Sequence, residues 1–137
     1  MKKTAEHGHI PTNYGYNIRP ITEHSHEYKS EEWKLWLLRY FPIYGKRRLP
    51  ADIYEEIMSL VRAICICDLY EITPDQLEEV RGRLIRFIDF YERTFYQFRE
   101  DRLPACKPTF HTIAHVHEFI AKIGPAFVSA CWCMERV

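Results

Sequence analysis

Apolar side chains recur at three- and four-residue intervals along four stretches of the chain, and this spacing predicts four helices. The first opens near Ser30, an N-cap with Glu31 and Glu32 in the first turn, where the helix dipole favours negative charge. Trp33, Trp36, Leu37 and Tyr40 then give it a broad apolar face, and Pro42 is expected to end it. Pro50 opens the second helix, 51–70, because a proline in the first turn loses no internal hydrogen bond. Its stripe is Ile53, Ile57, Leu60, Val61, Ile64, Cys65 and Leu69, with Cys65 acting as a small hydrophobe.

The third helix is announced by Thr73-Pro74-Asp75-Gln76, in which Thr73 caps the Gln76 amide and Gln76 reaches back. It should run from Pro74 to about Arg99 on a stripe of Leu77, Val80, Leu84, Phe87, Tyr91, Phe95 and Phe98. Gly82 weakens it by roughly 1 kcal/mol relative to alanine unless close packing needs the missing side chain. The fourth covers about Thr109 to Ile123 and stops at Gly124-Pro125.

These segments predict an all-α fold, a compact bundle of about four main helices over residues 30–137. Residues 1–29, with two prolines, two glycines and few aliphatics, read as an irregular N-terminal arm. The expected core is Trp33, Trp36, Leu37, Ile57, Leu60, Ile64, Leu84, Tyr91, Phe95, Ile113, His117 and Ile120.

Composition narrows the function classes. A chain of 137 residues with 47% hydrophobic content is globular rather than disordered. Nineteen basic residues balance nineteen acidic ones, so no whole-chain field draws in nucleic acid or an anionic membrane. No stretch is long and apolar enough for a membrane span, and the Met1-Lys2-Lys3 start has no apolar run behind it. An intracellular protein with reduced thiols is therefore expected, and Cys65, Cys67, Cys106, Cys131 and Cys133 are not read as a disulfide framework.

Chemistry concentrates in residues 110–136. On a helix, Phe110, Ile113, Val116, His117, Ile120 and Ala121 share one face, while His111, His115, Glu118 and Lys122 share the other. His117 is thus expected at the core. His111 and His115, four apart with Glu118 extending the row, are candidate metal ligands, as are Cys131 and Cys133. Thr112 stands where a metalloprotease helix would carry its general base, and Cys-x-Cys is tighter than the usual zinc spacing. The bland alternative is a solvated histidine row and cysteines packed around Trp132. Lys46, Arg47 and Arg48, beside Tyr44, are candidate phosphate-backbone contacts. Glycine-rich phosphate loops and serine-hydrolase motifs are absent from the sequence.

The order of several short motifs resembles a segment in the C-terminal half of fungal DDE transposases of the CACTA or KDZ-like kind, and of their domesticated relatives. These motifs are Trp33-Lys34-x-Trp36-Leu37-Leu38, Arg48-Leu49-Pro50, Leu60-Val61-Arg62-Ala63-Ile64 and Ile72-Thr73. They continue with Tyr91-Glu92-x-x-x-Tyr96, Leu103-Pro104-Ala105-Cys106-x-Pro108-Thr109, His111-x-x-x-His115, Gly124-Pro125 and Met134-Glu135-Arg136. The resemblance implies a helical region accompanying an RNase-H-like core, in nuclear proteins that act on DNA with divalent metal ions. It carries the family's histidine pair onto His111 and His115, and makes Glu135 the candidate catalytic residue. Ala130 and Cys133 depart from the tryptophan and proline usual there.

Two-metal phosphoryl chemistry needs several converging carboxylates, and the sequence has no strand-borne acidic pair. The expectation is therefore a non-catalytic, transposase-derived module for self-association or for contact with protein or DNA, with no cofactor of its own. The alternative is a fragment of a metal-dependent transposase whose core lies elsewhere. In that case the remainder of the transposase would be the partner.

Overall fold

In the computed structural model the described residues are 20–128, and every regular element among them is helical. The chain divides between Arg48 and Leu49 into two compact units.

In the first unit, α1 (Ile21–His24) leads into a 3-10 turn, Ser25–Glu27. The Glu23 and His24 amides donate to the Pro20 carbonyl at 3.1 and 3.0 Å, so the described end of the expected irregular arm is helical. α2 (Ser30–Leu35) begins one residue earlier than expected, with Lys29 rather than Ser30 in the cap position. The Lys29 amide donates to the Glu32 carboxylate at 3.0 Å, which is the reach-back half of a capping box.

Pro42 does not end this helix. A five-residue π turn, Trp36–Tyr40, follows α2, and α3 (Phe41–Gly45) continues beyond it. The Phe41 amide reaches five residues back to the Trp36 carbonyl. The widened turn gives room where a proline ring would otherwise meet the carbonyl four residues earlier.

A run of rings holds this unit. Tyr28 to Trp33, Trp33 to Trp36 and Trp36 to Phe41 have centroids 5.1, 6.3 and 5.7 Å apart. Tyr28 and Phe41 are buried and Trp36 and Leu37 are half-buried, but Trp33 is 43% exposed and is not the core residue expected from its stripe. Its helix has a wider apolar face than its neighbours cover, so Trp33 packs edge-on against rings at the surface. Gly45 is required here, since a Cβ would sit 2.9 Å from the Phe41 ring.

The second unit is a compact helical bundle built on α4 (Ala51–Cys67) and α5 (Pro74–Tyr91). The two run antiparallel. Arg86 pairs with Glu56, Arg83 with Ser59 and Arg62 with Glu79, each step along one helix matching a step back along the other. The expected cap opens α5: the Gln76 amide donates to Thr73 Oγ1 at 3.3 Å, and the Thr73 amide to Gln76 Oε1 at 2.9 Å.

The helix continues as a π turn, Glu92–Tyr96, and stops at Gln97 in the left-handed region, φ 55°. That is short of Arg99, and Phe98 is also left-handed, at φ 51°. A 3-10 turn, Glu100–Ala105, leads to α6 (Pro108–Ala114) and α7 (Val116–Ile123). Gly124, at φ 101°, ends α7 as its glycine-proline signal predicts.

Ala63, Ile66, Val80 and Leu84 form the buried centre, with Leu60, Cys67, Ile72, Ile113 and Val116 packed around it. The face of α4 that turns inward differs from the expected stripe. Cys65 and Leu69 are exposed, Ile57 and Ile64 are half-buried, and the helix ends at Cys67 rather than residue 70. The run Ile64-Cys65-Ile66-Cys67 is apolar on every side, so spacing alone does not choose a face. Packing against Val80 and Leu84 of α5 does. Phe95, expected inside, is 42% exposed because it lies on the π turn, where each residue advances by a smaller angle than in an α-helix.

Candidate functional site

The histidine-rich segment is two helices, not one. His115 adopts φ −97°, ψ 1°, and its amide donates three residues back to Thr112. The Glu118 and Phe119 amides then both donate to the His115 carbonyl, at 3.0 and 3.2 Å, so His115 starts α7 while ending α6.

His111 and His115 remain neighbours across this joint, with ring centroids 4.7 Å apart and planes at 67°. His115 Nδ1 lies 3.0 Å from Glu118 Oε1. That hydrogen bond, aided by the electrostatic influence of the neighbouring His115, His117 and Lys122, holds the Glu118 carboxyl below the usual glutamate range. His111, Thr112, His115, Glu118, Phe119 and Lys122 line an open concavity of ≈ 250 Å³. The Thr112 hydroxyl donates to the Pro108 carbonyl at 3.4 Å rather than to a histidine.

Among the described residues, no group of three or more His, Cys, Asp and Glu side chains is placed to hold a metal ion. Cys131, Cys133 and Glu135 lie outside the described residues. The described part of the expected ligand row is thus an imidazole–carboxylate pair with a second imidazole beside it.

His117 sits largely inside, its side chain 17% exposed. Its Nδ1 is buried without a hydrogen-bond partner, and its Nε2 is 4.0 Å from Glu118 Oε1, beyond hydrogen-bonding distance. Ile113 packs against the core and Ile120 is buried, whereas Ala121 faces solvent.

In the first unit, Lys46, Arg47 and Arg48 are all exposed, and the Arg48 guanidinium lies 5.7 Å from the centroid of the Tyr44 ring, within cation–π range.

A further feature is not apparent from the wheel of inward apolar and outward polar residues. Phe119 and Ile123, four apart on α7, point outward and are 55% and 58% exposed. Phe127 and Val128 in the following turn are exposed as well, and Phe127 packs on the Tyr70 ring with centroids 4.9 Å apart. The signal was the four-residue spacing of Phe119 and Ile123 beside the equal spacing of Glu118 and Lys122. Among the described residues no helix is long and apolar enough to cross a membrane.

No protein-family model matches the chain, and neither does any curated protein or solved structure.

Proposed function

We propose that the chain is a non-catalytic helical interaction module that binds protein through the outward face of α7 and the turn after it. One observation carries this: Phe119 and Ile123 stand more than half exposed beside the buried Ile120, continued by the exposed Phe127 and Val128. An apolar pair one helical turn apart and left in solvent favours an interaction surface, because fully burying one such side chain is worth about 1.5–3 kcal/mol. The motif order from Trp33 to Arg136 supports derivation from a transposase-like protein, and with it a nuclear setting.

The test is site-specific photo-crosslinking from position Phe127 in the full chain, with and without Ile123→Glu. A covalent protein adduct that the variant loses is expected. No adduct from the parent would overturn the proposal. So would stoichiometric divalent metal that His111→Ala with His115→Ala removes, which would support the transposase-fragment alternative.

Binding of DNA has its own supporting observation in the exposed Lys46, Arg47 and Arg48. If they meet phosphates, neutralising all three lowers both DNA affinity and its salt slope, the slope by about one for each phosphate that no longer has a cation. Unchanged values would remove DNA from the module's partners at this site.

A further inference from the structure

The outward face of α7 has two flanks, and the charge pattern on one of them identifies an occupant. Phe119 and Ile123 form the apolar flank, while Glu118 and Lys122 form a charged flank with opposite signs one turn apart. Glu118, exposed and 3.0 Å from His115 Nδ1, is a carboxylate at neutral pH as any solvated glutamate is, so this flank has a negative end.

A twofold axis crossing α7 between Ile120 and Ala121 would bring an identical helix against this face in the opposite direction. On the apolar flank, Phe119 would meet the partner's Ile123, and the partner's Phe119 would meet Ile123. On the charged flank, Glu118 would meet the partner's Lys122, and the reverse pair would form by symmetry. A parallel twofold would instead swap the flanks, setting Glu118 and Lys122 against the partner's apolar flank of Phe119 and Ile123. The pattern is self-complementary in one direction only. The chain's formal net charge of +0 also leaves no long-range repulsion between copies.

From this complementarity we infer that the occupant is a second copy of this chain, bound as an antiparallel α7–α7 pair. The inference rests on the reading of this face as an interaction surface. The face is small, and interfaces at the low end of the size range are weak or transient. The pair should therefore form reversibly and with concentration.

Sedimentation equilibrium of the full chain, under reducing conditions, tests it alongside the crosslinking. A monomer–dimer equilibrium is expected, together with a crosslinked adduct of twice the chain mass. Lys122→Glu should weaken dimerisation about tenfold or more, and Glu118→Lys with Lys122→Glu should restore it. Circular dichroism of both variants confirms that each remains helical, and Phe119→Glu gives a second, charge-independent disruption. Monomer throughout with an adduct to a different protein would overturn the second copy while leaving the interaction module standing. Monomer throughout with no adduct would overturn both. A dimer indifferent to Lys122→Glu, or one that the double swap fails to rescue, would overturn the antiparallel pairing.

Discussion

The ring of Tyr91 lies almost flat on that of Phe110, with centroids 4.0 Å apart and planes at 27°, and its hydroxyl donates to the Ala105 carbonyl at 3.2 Å. One side chain at the end of α5 thus fixes both the connector and the start of α6, and so the orientation of the histidine segment. Tyr91→Phe keeps the stacking and removes the hydrogen bond, which should lower stability by about 1 kcal/mol. Tyr91→Ala also loses the half-buried ring and should cost about 2–3 kcal/mol, less than for a fully buried aromatic. Urea unfolding of the two variants checks the order. Equal losses would mean that stacking adds nothing here.

Two helical glycines should respond oppositely to alanine. At Gly82 a Cβ would meet nothing within 4 Å, so Gly82→Ala should raise stability by about 0.5–1 kcal/mol through helix propensity. At Gly45 the same atom would press on the buried Phe41 ring, so Gly45→Ala should lower the thermal midpoint. Thermal unfolding of both variants decides, and a destabilised Gly82→Ala would contradict the open space beside it.

Thiol reactivity should separate along α4. Burial, reinforced by the Asp68 charge, pushes the Cys67 thiol up to about 11, leaving almost none of it as the reactive thiolate near neutral pH. Cys65 and Cys106 are exposed. Native alkylation followed by peptide mass spectrometry should therefore modify Cys65 and Cys106 well before Cys67, with the differences collapsing in denaturant. Cys67 reacting first would refute its burial.

The Glu118 carboxyl should titrate below an ordinary glutamate, chiefly because of its hydrogen bond to His115. A depressed carboxylate stabilises the fold above its unfolded pKa, and that contribution is lost as pH falls through the folded value. The Glu118 contribution to stability should accordingly be lost at acid pH, as pH falls through and below the normal glutamate range. Carboxyl-resolved NMR titration should show His115→Ala moving Glu118 upward. No movement would separate Glu118 from His115.

Much of the local structure was legible because it rests on short-range chemistry. Thr73 and Gln76 are three residues apart, and their reciprocal bonds need only the first turn of a helix. Gly124 ends α7 in a backbone conformation that other residues adopt with difficulty. The all-α class and the four helical stretches follow from spacing in the same way. Of the candidate site, the proximity of His111, His115 and Glu118 was legible from their spacing, even though the helix breaks at His115.

What tertiary structure decided is which apolar atoms leave water. On α4, several faces offered a stripe, and Ala63 and Ile66 turn inward because Val80 and Leu84 lie opposite them. On the π turns, the change of helical step moved Phe95 outward and carried the helix past Pro42. Spacing along one chain specifies which residues share a face, but burial depends on what stands across from that face. Phe119 and Ile123 thus remained on the outside.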